Sequence, residues 1–183
     1  MSRIHTPPTV ADAPATARPQ LEAVHKMLGT VPNIFRMVAN SPAALDGYVG
    51  LLGALSRGKL AAATHERIAL AVAEANGCDY CLSAHTYLGK HVAGLDDIEM
   101  AANRRGASND ARADAAVRFA RQVMERRGHV SDAELKAVRE AGYSEAEVIE
   151  IVQHVALNTW TNYVNSVAQT AIDFPVISAR RVA

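Results

Sequence analysis

Residues 61–92 read AAATHERIALAVAEANGCDYCLSAHTYLGKHV, and the fold turns on how that stretch is read. From 61 to 76 it is apolar almost all round (Ile68, Ala69, Leu70, Ala71, Val72, Ala73), the pattern of a helix buried on every side. Asn76-Gly77 is a helix stop, because glycine takes the left-handed conformation past a helix C-terminus without strain. A second helix is expected from about Cys78 to about Val92, ended by Gly94. Two helices joined by so tight a turn form an antiparallel hairpin.

The rest of the chain follows the same grammar. Leu21–Leu28 is a short amphipathic piece ended by Gly29, and Val31-Pro32-Asn33 restarts the chain into Ile34–Ala39. Ser41-Pro42 is an N-cap with proline at the first helical position, opening a helix to about Arg57. Ser131-x-x-Glu134 and Ser144-x-x-Glu147 are capping boxes, and Asp96-x-x-Glu99 resembles one. Helices are expected at about 109–126, 132–139 and 145–171. No period-2 strand or hairpin signal occurs. The fold class is therefore all-α: a single-domain helical bundle over residues 20–183, with a CxxC at the N-terminus of a core helix. Four of the seven prolines (Pro7, Pro8, Pro14, Pro19) fall in residues 1–19. That stretch reads as an extended arm, either frayed or wrapped on a neighbouring subunit.

Composition excludes several function classes. Lys+Arg 19 balances Asp+Glu 19, so no net field draws the chain to nucleic acid or a membrane surface. Aromatics at 5% argue against base-stacking modules. No apolar run is long enough to span a bilayer. Residues 1–20 lack the apolar core of a secretory signal, which points to the reducing cytoplasm. There a CxxC is catalytic or metal-binding rather than a structural staple. No glycine-rich nucleotide loop, flavin or haem motif is present, so no cofactor is expected.

The chain's two cysteines, Cys78 and Cys81, lie at i and i+3 on one helix face, close enough for a disulfide. His85 lies one turn beyond Cys81. Unpaired N–H groups in the first helical turn favour thiolate, the reactive form, and an imidazole exchanges the thiol proton near neutral pH. Glu66 precedes Gly77 by roughly 16 Å of helix and His85 follows it by about 12 Å, so the two lie nearly level across the seam. Glu66 is then either the partner of His85 or a solvated first-turn acid. A zinc site built on Cys78, Cys81 and His85 lacks a second ligand pair, so no metal is expected. His65 and His91 read as ordinary helix residues, His65 at the surface. His154 reads as a core or interface residue. Asn158 and Asn162 bond a neighbouring helix or orient a site water, and Trp160 and Tyr163 fill core or subunit contacts. Arg104-Arg105 and Arg126-Arg127 read as solvated helix ends.

Glu66, Cys78-x-x-Cys81 and His85 reproduce the E-x11-C-x2-C-x3-H pattern, and the whole constellation resembles the alkylhydroperoxidase D-like proteins of the carboxymuconolactone decarboxylase superfamily. Val31-Pro-Asn-Ile-Phe35, Leu157-Asn-Thr-Trp-Thr-Asn-Tyr163 and Ile172-Asp-Phe-Pro175 are similar to its peroxidase-related branch. The resemblance implies an all-helical homo-oligomer, often a trimer or hexamer. It implies a thiol peroxidase or disulfide oxidoreductase acting on hydrogen peroxide or organic hydroperoxides. Cys81 would attack the peroxide, Cys78 would close the disulfide, and His85 with Glu66 would relay protons. The reductant would be a small thiol, a lipoyl group or a thioredoxin-like protein. Analogy with thioredoxin-like CxxC sites favours Cys78 as nucleophile instead. Tyr80 stands where the founding members of the family have a histidine, which bears on substrate and reductant. Redox sensing, metal binding and lactone decarboxylation are the alternative functions.

Overall fold

The computed structural model describes residues 2–180. Among them no strand occurs, and nine α-helices carry the architecture. They are α1 (Arg18–Leu28), α2 (Asn33–Val38), α3 (Pro42–Leu55), α4 (Ala62–Ala75), α5 (Asp79–His91), α6 (Asp97–Arg104), α7 (Ala111–Glu125), α8 (Asp132–Glu140) and α9 (Glu145–Ala168). The last helix stops short of the expected 171, because Gln169 turns left-handed at φ 47°. No helix is long and apolar enough to cross a membrane among the described residues.

The described residues group into two compact units. One takes the chain up to residue 57 together with 164–173. Here α1, α2 and α3 pack on one another around Leu21, Val24, Ile34, Phe35, Met37, Val38 and Leu45, all buried. The proline-rich stretch before α1 makes two 3-10 turns, Val10–Asp12 and Ala15–Ala17, and buries Ala13 and Ala17. Its backbone is tied down at several points: the Arg3 N–H donates to the Ala168 carbonyl at 2.6 Å, and Asn40 Nδ2 donates to the His5 carbonyl at 2.7 Å. Asp173 Oδ2 accepts the N–H of Asn33 at the start of α2, at 2.8 Å.

The second unit, 58–163 with 174–180, holds the cysteine pair. Its centre is α4, which packs on α5, α6 and α7. Ile68, Ala69, Leu70, Ala71, Val72 and Ala73 are all buried, as an all-round apolar helix requires. Ile68 and Val72 join Phe119, Val123, Val138, Ile151 and Val155 in one apolar core. Local grammar sets the helix starts. The side chains of Asp96, Asp110 and Ser131 each accept the N–H three residues on, and Ser144 with Glu147 forms a reciprocal box. Asp96 caps without the return half of a box. Glu99 instead turns inward, where its carboxylate accepts from Arg67 Nε, Asn103 Nδ2, Ser108 Oγ and the Asn109 N–H.

Candidate functional site

The turn between α4 and α5 decides where the sulfurs sit. Gly77 is left-handed at φ 68°, and the Gly77 and Cys78 N–H groups donate back to the Glu74 and Ala73 carbonyls at 3.1 and 3.0 Å. These bonds close the end of α4 and swing the chain straight into α5. Cys78 is the N-cap of α5, and its Sγ accepts the Cys81 N–H at 3.3 Å. Thiol sulfur thus takes the place that serine or aspartate oxygen usually fills. Asn76, the last residue before the turn, donates from Nδ2 to Asn162 Oδ1 of α9 at 2.9 Å, and Asn162 is fully buried.

Both cysteines are free thiols and each is 3% exposed. The Cys78 S–H donates to Cys81 Sγ across 2.7 Å. That hydrogen bond, together with burial, raises the Cys78 thiol well above its ordinary range. The first-turn position was expected to favour thiolate at both cysteines. At Cys78 the bond to Cys81 and then the loss of water outweigh the helix end, so the thiol form is favoured there.

His85, one turn beyond Cys81 on α5, meets Glu66 of α4 with Nδ1 2.8 Å from Oε2. Their side chains are 22% and 19% exposed. Glu66 lies in the fifth position of α4 rather than in a solvated first turn. Burial by itself lowers the His85 pKa. The charge of Glu66, the hydrogen bond to it and the neighbouring Cys81 outweigh that, and the net shift is upward. The ring therefore holds its proton to higher pH than a free histidine and lends positive charge to the cysteine beside it.

Two further imidazoles complete this part of the molecule. His154 of α9 is 5% exposed and faces His65 of α4, ring centroids 4.1 Å apart. The Nε2 atoms of both are buried without a hydrogen-bond partner among the described residues. Burial, then the closeness of His65 and His85, pushes His154 down to about 3; burial also lowers His65, against the raising effect of Glu66 and Glu150. Both are neutral at physiological pH. His65 was expected at the surface, since it points about 100° away from Glu66. The structure corrects this: α9 covers that face of α4 as well. A histidine among apolar residues was the only local signal, and it does not say which helix will cover it.

Other expectations sort as follows. Asn158 bonds within α9, to the His154 carbonyl, and Asn162 bonds α4. Tyr163 is 59% exposed, so it fills no core contact in the single chain. Arg104 is not a solvated helix end: its Nε pairs with Glu74 at 2.6 Å. Tyr80 is buried with its ring edge against Phe174. The segment after Phe174 runs along α5, with the Ile177 and Ala179 N–H groups bonded to Ser83 Oγ and Asp79 Oδ1. No group of three His, Cys, Asp or Glu among the described residues is placed to hold a metal ion.

Residues 42–126, which include Glu66, both cysteines and His85, match the model of the carboxymuconolactone decarboxylase family. Over that stretch the chain is similar to that family, and its fold is that of solved structures described as an alkylhydroperoxidase AhpD core and peroxidase-related proteins. One such structure is an alkylhydroperoxidase AhpD core, an uncharacterized peroxidase-related protein from Ralstonia eutropha JMP134. It is 24% identical with a TM-score of 0.83, covering 94% of this chain and 92% of its own. An uncharacterized peroxidase-related protein from Silicibacter sp. TM1040 is 24% identical with a TM-score of 0.78, covering 93% and 94%. The debrominase Bmp8 is 22% identical with a TM-score of 0.75, covering 92% and 91%. No curated protein matches the chain.

Proposed function

We propose that this protein is a thiol-dependent peroxidase and disulfide oxidoreductase, working through a Cys78/Cys81 dithiol–disulfide cycle with Glu66 and His85 as its proton relay. One observation carries the reading: the sulfurs of Cys78 and Cys81 lie 2.7 Å apart, and the Glu66–His85 pair, joined at 2.8 Å, lies one turn away. Cys81 is thereby the sulfur best stabilised as thiolate, by a donated S–H and by a nearby imidazolium. The arrangement supports Cys81 rather than Cys78 as the nucleophile.

The Cys81 thiolate attacks the outer oxygen of a hydroperoxide. The O–O bond breaks, the outer oxygen stays on sulfur with its own hydrogen as sulfenic acid, and the departing alkoxide takes a proton from His85 to leave as the alcohol. Cys78 then attacks the Cys81 sulfenic acid, closing the disulfide and releasing water. Glu66 orients the ring and restores its affinity for a proton. Two electrons from an external thiol, a lipoyl group or a thioredoxin-like protein reopen the disulfide. Such a cycle belongs in a reducing compartment, which suits the cytoplasm.

Because the same fold holds a debrominase solved in complex with 2,3,4-tribromopyrrole, reductive dehalogenation by the same dithiol is the second reading. Assembly into a homo-oligomer is supported by Ile149, Val152 and Tyr163, 65%, 42% and 59% exposed along one stripe of α9.

The test treats reduced protein with one equivalent of tert-butyl hydroperoxide and follows intact mass and free thiols. Wild type loses both thiols and about 2 Da. Cys78→Ser gains about 16 Da, trapped as sulfenic acid, and Cys81→Ser does not react. Absence of reaction within minutes overturns the peroxidase reading and leaves the halogenated substrate to be tried.

A further inference from the structure

A cleft of about 770 Å3 opens beside the α4–α5 turn, within the size range of small-molecule sites. Asn76, Gly77 and Asp79, which flank Cys78 in the chain, form part of its lining. Arg104, Arg105, Arg121 and Arg180 line it as well. Its carboxylates are already engaged. Glu74 accepts from Arg104 Nε at 2.6 Å and from the Arg180 N–H at 2.9 Å. Glu125 accepts from Arg121 Nε at 2.6 Å, and Asp79 from the Ala179 N–H at 2.8 Å.

Two of the arginines are therefore held in place. Arg104 also donates to the Ser178 carbonyl, and Arg121 to that of Arg105. Gly106, left-handed at φ 78°, leaves the room in which the Arg121 side chain lies, and any Cβ there would collide with it. The guanidinium groups of Arg105 and Arg180, both on exposed residues, make no hydrogen bond or ion pair among the described residues. Among the described residues the cleft thus offers two uncommitted cations, while the acids around them already have partners. A small anion gains from this, and a small cation does not.

We propose that this cleft binds the carboxylate of a small anionic thiol, which reopens the Cys78–Cys81 disulfide. The inference rests on the dithiol–disulfide cycle proposed above and names the reductant class of that site. The thiolate attacks Cys78 Sγ, the sulfur whose chain neighbours line the cleft. The Cys78–Cys81 bond breaks, and Cys81 leaves as thiolate beside His85, whose proton affinity is raised by Glu66 and favours the leaving group. A second thiolate attacks the reductant's sulfur in the mixed disulfide. Cys78 is released and takes up a proton, and the two reductant molecules depart as their own disulfide.

The test avoids peroxide, so that it stands apart from the peroxidase reading. The disulfide is closed with diamide and reopened with 3-mercaptopropionate, 2-mercaptoethanol or cysteamine at matched thiolate concentration, in wild type and Arg105→Glu. The expected order is anion, neutral, cation, with about a tenfold span that shrinks as salt is added. Arg105→Glu levels or reverses the order and leaves the 2-mercaptoethanol rate unchanged. Equal rates for the three thiols in wild type, or equal slowing of all three in Arg105→Glu, overturns the proposal. A protein that ranks the thiols by charge yet ignores hydroperoxide keeps the cleft and loses the peroxidase.

Discussion

His65 and His154 face each other between α4 and α9, their rings tilted by 31° with centroids 4.1 Å apart and a buried Nε2 on each that has no hydrogen-bond partner among the described residues. Two imidazoles so placed cannot both carry a proton without repelling each other in a site short of water. His154, held at about 3, binds fewer protons folded than unfolded at any pH between that value and about 6.5. Stability contributed by keeping it neutral is intact above about pH 6.5 and is lost progressively as pH falls toward 3. Thermal melts between pH 7 and 4 are expected to fall more steeply in wild type than in His154→Gln. Parallel slopes in the two proteins refute this.

Glu66 works on His85 in the opposite sense. The raised His85 pKa gives stability that is complete below the unfolded value and disappears as pH rises through the folded one. In Glu66→Gln, burial is left to dominate, and the ring is expected to titrate at lower pH by NMR. Reaction with hydroperoxide at neutral pH is expected to slow on the order of a hundredfold, as for loss of a proton-transfer partner. A variant with an unchanged His85 titration removes Glu66 from the relay.

Asn162 and Asn76 separate positioning from stability. Asn162 Oδ1 holds Asn76 at 2.9 Å, while its Nδ2 is buried without a partner among the described residues. Asn162→Leu removes the unsatisfied donor together with the tie to the turn that presents Cys78. Unfolding free energy is expected to stay within about 1 kcal/mol of wild type, because both effects are of that size and oppose each other. Disulfide closure after oxidation is expected to slow, and adding Asn76→Ala is expected to slow it no further. An additive double mutant would show the two residues act independently.

Glu99 ties α6 to α4 and to the α6–α7 loop. Its carboxylate, only 9% exposed, is held at about 2, where burial opposes and the bonds from Ser108, Asn103, Asn109 and Arg67 prevail. The resulting stability is present above about pH 4.5 and fades as pH falls through 2. Glu99→Gln keeps the shape, loses the charge and strands Arg67, with an expected loss on the order of 2–3 kcal/mol by urea unfolding near neutral pH. A loss below about 0.5 kcal/mol would mark the network as replaceable.

Local rules determined what this chain shows within one helix or one turn. The apolar run of α4, the Asn76-Gly77 stop and the Asp and Ser caps act over three or four residues, so helix bounds were legible in the sequence to within a few positions. The i, i+3, i+7 spacing of Cys78, Cys81 and His85 on one helix is equally local. The level of Glu66 against His85 was legible too, since a two-helix hairpin with a tight turn has one register. The contacts of α9 and α6 were not. His65 meeting His154, Asn162 pinning Asn76, and Arg104 turning in to Glu74 join residues 30 to 89 apart in the chain. Periodicity reports that such a face is polar or apolar, and only packing decides which helix covers it. The protonation of Cys78 follows the same division. Its place at a helix start and the sulfur of Cys81 2.7 Å away, three residues on, are local to the sequence, but the burial that adds to that bond in reversing the effect of the helix start is set by tertiary packing.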